Sequence, residues 1–568
     1  MITQVRTRYF KRFDDQTFPL SDHIVLAGPN NSGKTTLLQA IVVWNLALQR
    51  WQADRKGKGK RRTGLPLTRE DFTAIPLREM NQLWTDTLTA LGKADAPQGK
   101  AGFPRVMEIE LSASNRATGQ AWNLTFEFRY QNTKQIYAKP ADKHIDSLPP
   151  GVSEFHIVHV PPFSGIGVQE TRYDQPYQDL LIGQGKPGDI LRNLLLEIHQ
   201  KEDKSDWDTL VHEIADVFGY HLLPPQYQGL PFILCEYVHG KSKDKGKDGR
   251  TAFDISCAGS GFHQVLMLLA FFYARPASIL LLDEPDAHLH AILQKQIYDM
   301  LRSIAAKRGC QLIIATHSEV LLDDTSPERI MSFYQAPHPL VEDAERDQVR
   351  EALKRLTAMD ILNADDSTGI LYVEGEDDFN LLRTWAKVLN HPLYEKWFAK
   401  SPFWHCNRGR NPQEARAHFF ALRAIKPSIK AYLLLDGDNR DLPGHKVDAE
   451  GLVVGRWRRY EAESYLVHPD AIFRFLKPRA GELLASKGMD YLQDELPNTV
   501  LRDPLGDHDY LNRTPASKTL LPGTFKAAED PITKDEYYLV AEQMTKEEIA
   551  PEVEEKLNQI AAALGVNT

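Results

Sequence analysis

Gly28-Pro-Asn-Asn-Ser-Gly-Lys-Thr35 matches GxxxxGK[ST] at every fixed position. Before it, His23-Ile-Val-Leu-Ala27 is a short apolar run of strand type, and after it Thr35 to Leu48 has helical periodicity. A strand, a glycine loop and a helix in that order are the context in which this motif binds phosphate. The glycines let successive backbone N–H groups turn inward around an anion, and the helix N-terminus adds a favourable dipole. Lys34 is placed to reach the β- and γ-phosphates of ATP, and the Thr35 hydroxyl to ligate Mg²⁺. Asn30, Asn31, Ser32, Gly33 and Thr36 complete the expected cradle.

A second strand with a polar end lies downstream. Ile279-Leu-Leu-Leu-Asp-Glu284 is apolar until it reaches two carboxylates. Asp283 is expected to hold Mg²⁺ through water or Thr35, and Glu284 to orient and deprotonate an attacking water. Just ahead of this strand stands Ser256-Cys-Ala-Gly-Ser-Gly-Phe-His-Gln264, just after it Asp286, and at the end of the next strand His317 in Ala-Thr-His-Ser318. In order and spacing the set resembles the ABC-type ATPases: a signature-like loop, a D-loop acid and a switch histidine. The resemblance implies a homodimer in which Ser260 and Gly261 touch the γ-phosphate of ATP bound to the other subunit. The wording of the loop departs from the usual signature.

The pattern repeats in another form. Leu371-Tyr-Val-Glu-Gly375 and Leu433-Leu-Leu-Asp-Gly-Asp438 are apolar strands ending on Glu374 and on Asp436 and Asp438. Functional groups of parallel α/β sheets gather at the carboxyl ends of strands, and residues two apart in an extended chain point to one side. Three acids so placed repel unless a divalent cation neutralises them, and oxygen ligands suit Mg²⁺ or Mn²⁺ rather than zinc. Glu-Gly followed by DxD resembles the Toprim domain, over roughly residues 369 to 470. An ABC-type ATPase followed by Toprim is the arrangement of the OLD family of nucleases. That resemblance implies that Glu374, Asp436 and Asp438 bind metal at the phosphodiester, with Asp378 as a further ligand and Glu461 and Glu463 supplying a second metal. It also implies a lysine downstream of the DxD, for which Lys518 is a candidate. Arg408, Arg410, Arg456, Arg458, Arg459 and the basic loop Arg55 to Arg62 are candidate phosphate contacts.

The fold class expected is therefore α/β: an ABC-type P-loop ATPase domain over 1–362, with a helical insertion about 179–220, then a Rossmann-like Toprim domain over 369–475 and a helical extension over 476–568. The polar break Asn363-Ala-Asp-Asp-Ser-Thr-Gly369 marks the boundary. Lys241 to Lys247 reads as an exposed hairpin tip. The 568 residues suffice for two or three domains. The net charge of −9 excludes a chain that is basic throughout, but not a local basic patch for nucleic acid. Four dispersed cysteines without a CxxC argue against a disulfide framework or cysteine zinc site and for a reducing cytosol. No apolar run is long enough to span a bilayer. The function expected is a metal-dependent nuclease regulated by ATP, acting on DNA in preference to RNA or tRNA, in anti-phage defence. Relatives of this architecture act alone, with a helicase-like partner (Gabija), beside a retron reverse transcriptase, or in PARIS-type pairs. The alternative is an ATPase sensor or scaffold whose second domain docks a partner or clamps nucleic acid without cutting. The lack of long heptad runs counts against a third reading, an SMC-like clamp.

Overall fold

The computed structural model describes residues 1–568 apart from 56–62, 73–74, 76, 93–101, 116–118, 164, 241–250, 276, 335, 408–411, 439–449 and 567–568. Save for the backbone of Arg55, the expected basic loop lies outside the described residues, as do the hairpin tip Lys241 to Lys247 and Arg408 and Arg410. The chain forms two compact units, Met1–Leu353 and Lys354–Thr568.

The first unit holds two large sheets. One is antiparallel, in the order Phe13–Pro19, Ile2–Phe10, Met107–Ser114, Ala121–Asn132, Gln135–Pro140, Leu65–Thr68. Strict alternation of buried and half-buried residues along Met107–Ser114 gives this sheet one apolar face. That face meets the helix Lys34–Arg55, where Trp44 stacks on Trp122 and meets Phe126 edge-on. The Trp44 indole N–H donates to the Leu124 carbonyl at 2.8 Å.

The other sheet runs Ile157–Val160, Ile279–Asp283, Gln311–Thr316, His23–Ala27, Ile330–Ser332, His338–Pro339, with only the last pair antiparallel. Its three central strands are buried at every position, as parallel strands covered on both faces must be. Gln311 joins the two sheets: its side-chain amide donates to the carbonyls of Ile2 (2.8 Å) and Ser21 (2.6 Å) and accepts from the Ile2 N–H (2.7 Å). The expected helical stretch 179–220 is three helices, Gln175–Gly183, Leu191–Gln200 and Ser205–Phe218, broken where Pro187 and Gly188 impose a tighter turn.

The second unit is built on a parallel sheet, Trp404–Cys406, Gly369–Val373, Lys430–Leu435, Leu452–Arg456. It begins ahead of the expected boundary. Thr357 caps the helix Ala358–Asp366 in a reciprocal box with Asp360, so Asn363 to Asp366, read as a polar break, are helical. Residues 476–568 likewise share one core with the sheet: Leu476, Phe525, Leu557 and Leu564 pack in the same cluster as Leu371, Val373, Trp385 and Leu434. Gly369 makes the closest approach possible, since a Cβ there would lie 2.8 Å from the Leu564 side chain and 2.9 Å from the Lys430 carbonyl. The final helix is Pro551–Leu564, with Pro551 setting its first turn.

Leu557 has no exposed surface. Leu557→Ala is therefore expected to destabilise the second unit by about 2–5 kcal/mol, the cost of a core cavity. Denaturant unfolding of the full chain measures this. A loss below about 1 kcal/mol, of the size usual for surface changes, would show the helix to be peripheral.

Candidate functional site

The strand His23–Ala27 delivers the chain into the phosphate loop, and the helix Lys34–Arg55 leaves it. Asn31 and Gly33 take left-handed backbone (φ 59° and 112°). At Gly33 a side chain is excluded as well, because its Cβ would lie 2.7 Å from the Phe13 ring. Lys34 is 5% exposed, and its ammonium donates to the carbonyls of Gly28 (2.7 Å) and Pro29 (2.9 Å). The Thr35 hydroxyl donates to Asp283 at 3.1 Å. His317 Nε2 stands 3.0 Å from the Lys34 ammonium and 3.3 Å from Glu284 Oε1. Glu284 itself is held at φ 52°, unusual for a residue with a side chain. Asp286 accepts from the Thr316 hydroxyl at 2.7 Å.

The electrostatics fit a triphosphate and its cation. Burial lowers the Lys34 ammonium to about 8 despite nearby Glu284, Asp283 and Asp286. Burial, and then Glu284, raise the Asp283 carboxyl to about 6 against the Thr35 hydrogen bond. A phosphate beside Lys34 and a cation beside Asp283 would each restore the charged form. The buried Ser32 hydroxyl has no hydrogen-bond partner among the described residues and can serve a phosphate oxygen. Asn30 and Asn31 are exposed, and Thr36 is half-buried. Ser260 and Gly261 open the helix Ser260–Ala274, with the Ser260 side chain exposed. Gln264 on that helix donates to the Pro285 carbonyl at 3.2 Å, tying the signature-like helix to the turn after Glu284.

Sequence reasoning missed Arg12. In the turn between the first two strands, its guanidinium donates to the Asn31 carbonyl and sets a positive charge against the phosphate loop. A cation shortly before a P-loop strand was the available signal.

In the second unit, Glu374 follows the strand Gly369–Val373, and Asp436 follows Lys430–Leu435. The Asp436 N–H donates to Glu374 Oε1 at 3.2 Å. Asp378 caps its own helix, accepting from the Gly375 N–H at 2.9 Å. Burial, then Asp378, Glu374, Glu463 and Glu461, push the Asp436 carboxyl up to about 9. Burial and Glu463 push Asp378 up to about 7. Glu463 is fully buried and Glu461 nearly so. The structure thus brings Glu374, Asp378, Asp436, Glu461 and Glu463 into one electrostatic cluster. Asp438 ion-pairs with Arg456 at 3.8 Å. Buried carboxylates that hold one another protonated are the donor set a hard divalent cation fits. Among the described residues, though, no three of these acids bring one oxygen each within 4.8 Å of the others.

The cation in this cluster is Lys534, 2.6 Å from Glu463 and held above its ordinary value by Glu463 and Asp378 against the effect of burial. Lys518 is exposed, and it is the N–H of its neighbour Ser517 that reaches Glu461, at 2.6 Å. Lys534 lies about a hundred residues beyond the DxD with no motif around it, and only packing reveals it. The arginines differ from expectation. Arg459 is 4% exposed and donates to the carbonyls of Ser464, Pro504 and Gly506, so it braces the loop instead of meeting phosphate. Arg456 donates to the carbonyls of Asp436 and Asp438 and fixes the DxD backbone. Arg458 is exposed and pairs with Glu555 at 3.4 Å.

Residues 169–323 match the family model described as "AAA domain, putative AbiEii toxin, Type IV TA system". No curated protein matches the chain. Among solved structures it is similar to an SmcHead bound to the C-winged helix domain of ScpA, at 15% identity over 58% of this chain and 94% of that one, with a TM-score of 0.36. It is also similar to the SMC head domain from Thermotoga maritima (13% identity, 58% and 94%, TM-score 0.31). A third is the Pyrococcus furiosus Smc head with an extended coiled coil, bound to the C-terminal domain of ScpA (13%, 58% and 92%, TM-score 0.33). The matched segment carries the Asp283 strand and the signature-like helix, and the Thr35 hydroxyl of the phosphate loop reaches Asp283, so the first unit holds a P-loop ATPase domain of AAA type. Among the described residues, no helix is long and apolar enough to cross a membrane.

The raised carboxyl of Asp436 has a consequence for stability. Unfolded, an aspartate titrates near 4; folded, this one keeps its proton to about 9. Between those values the folded chain binds more protons, so stability falls as pH rises. In chelator-treated protein, Asp436→Asn should be more stable than the parent by about 1–3 kcal/mol at pH 8, a gap that closes toward pH 4. Thermal melts across that range check it, and a gap independent of pH would contradict the buried acid cluster.

Proposed function

We propose that the chain is a metal-dependent nuclease of the OLD type, in which a P-loop ATPase domain regulates a Toprim-like second unit that hydrolyses phosphodiester bonds in nucleic acid. The observation that carries this reading is the buried cluster of Glu374, Asp378, Asp436, Glu461 and Glu463 around the carboxyl ends of two parallel strands, with Lys534 ion-paired inside it.

In the first unit Lys34, Ser32, Thr35 and Arg12 bind and orient the triphosphate. Glu284 takes the proton of the attacking water, and His317, within reach of both Glu284 and Lys34, senses the γ-phosphate. The exposed Ser260, with half-buried Gly261 beside it, suits closure over nucleotide held by a second copy of the chain. In the second unit Glu374, Asp436, Asp378 and Glu463 would hold one or two Mg²⁺ or Mn²⁺ ions, with Asp438 and Glu461 as further ligands. When bound, the metal supplies a nucleophile at neutral pH and positive charge at the scissile phosphate. Lys534 is positioned to neutralise charge developing on that phosphate. DNA is the substrate favoured, in the setting of bacterial anti-phage defence. A defence-system protein or retron is a partner in keeping with the same reading.

The test is incubation of purified protein with plasmid, linear DNA and tRNA, with Mg²⁺ or Mn²⁺, with and without ATP. Asp436→Ala should abolish cleavage and leave ATP hydrolysis largely intact. Lys534→Met should slow cleavage by about 10²–10³-fold, the usual cost of losing one preorganised electrostatic partner. Glu284→Gln should bind ATP and slow its hydrolysis by about 10²–10⁴-fold. Cleavage that persists in Asp436→Ala would refute the nuclease site. Metal binding without cleavage of any nucleic acid would favour a sensor that docks a partner.

A further inference from the structure

Away from the acid cluster, the sheet of the second unit carries a different set of ligands. The edge strand Trp404–Cys406 pairs in parallel with Gly369–Val373, and Tyr372 stands opposite His405 in the register. Partners in register share a face. Theirs is the face away from Leu371 and Val373, which belong to the main core. The helix Pro412–Leu422 covers it and contributes His418, 4% exposed. The His405 and His418 rings stack with centroids 4.4 Å apart and planes 13° apart. Asp360, on the helix Ala358–Asp366, approaches to 3.7 Å between Oδ2 and His418 Nε2. One ligand atom from each of Asp360, His405 and His418 lies within 4.8 Å of the other two.

We propose that Asp360, His405 and His418 form a site for one divalent transition-metal ion of the zinc class, distinct from the acid cluster.

Three observations carry the assignment. First, His418 Nε2 is buried and has no hydrogen-bond partner among the described residues, a costly state that a metal bond would relieve. It faces the carboxylate, yet at 3.7 Å it is too far for a hydrogen bond. Second, the other ring nitrogen is already oriented. Tyr372, fully buried, places its hydroxyl 2.9 Å from His418 Nδ1. With His418 Nδ1 donating to that hydroxyl, Nε2 is left with the lone pair a metal takes, the arrangement usual for ligating histidines. Third, the donors have the right chemistry. Two imidazoles and one carboxylate suit zinc, cobalt, nickel or iron, whereas the acid cluster offers only oxygen. Asp360 supplies the carboxylate from the helix Ala358–Asp366. Both capping bonds from Thr357 go to Asp360 Oδ2 and leave Oδ1 for a cation.

Zinc–nitrogen bonds of about 2.0–2.1 Å require the two rings to leave their stack and converge. His405, the less buried of the two, is the ring that would have to turn. Three protein ligands leave a further position for solvent. The ion would fasten the helix Ala358–Asp366 to the sheet. That helix buries only Ala364 and exposes Met359 and Leu362, so its other attachments are slight.

The experiment uses the full chain stripped with chelator and carrying Glu374→Ala and Asp436→Ala, which disable the acid cluster. Zn²⁺ is titrated calorimetrically, and Co²⁺ is followed by its visible absorption. One equivalent should bind, with a cobalt spectrum of low-coordinate, nitrogen-containing type. Replacement of buried His418 risks unfolding, so His405→Ala and Asp360→Asn carry the test. Each should weaken zinc binding at least tenfold and abolish the zinc-induced rise in melting temperature. Absence of binding, or binding equally tight in both variants, would overturn the site. Because cleavage is not the readout, the result is independent of whether the acid cluster cuts nucleic acid.

Discussion

Ionisable groups crowded together away from water are the constraint on which both units turn. A parallel strand covered on both faces can place polar groups only where it leaves the sheet, and both units use those ends. In the first, Lys34 spends its ammonium protons on the carbonyls of its own loop while Asp283 is raised by burial. In the second, acids accumulate until Asp436 keeps its proton past neutrality. Neither arrangement is what stability alone would select, since apolar residues of similar volume would cost less. Strain tolerated at a site is a sign of what the site is for.

What surrounds these groups is closely packed. The antiparallel sheet and the Trp44 helix fix the loop from one side, and Phe13 leaves no space for a side chain at Gly33. Arg456 and Arg459 spend their donors on carbonyls of the segments that present the acids. These arginines hold the site in shape, and the cation among the acids is Lys534.

The parts legible in the sequence are those whose meaning is local. The P-loop, the Asp283 strand and the Glu374 and Asp436 strand ends each fit within a few residues of chain, where hydrophobic runs stop at glycine and carboxylate. The parts that were not legible depend on segments far apart. Lys534 meets Glu463 across seventy-odd positions without a motif at either end. Arg12 reaches the phosphate loop only because a hairpin folds over it. The Thr357 cap overrode a stretch that composition alone marks as a break. Residues 476–568, read as an appendage, turned out to share the core, since amphipathic helices look alike whether they pack on a neighbour or on a sheet.

The place of the helix Pro551–Leu564 sets an order of events in the making of the protein. The strand Gly369–Val373 emerges from the ribosome early, but its apolar face is closed by Leu557 and Leu564, and Thr368 donates to the Leu564 carbonyl at a separation of 196 positions. Domains fold as units during synthesis, so the first unit can mature while the second waits. A nascent chain stalled before that helix would already possess its nucleotide loop, yet its cluster of acids would stay unassembled.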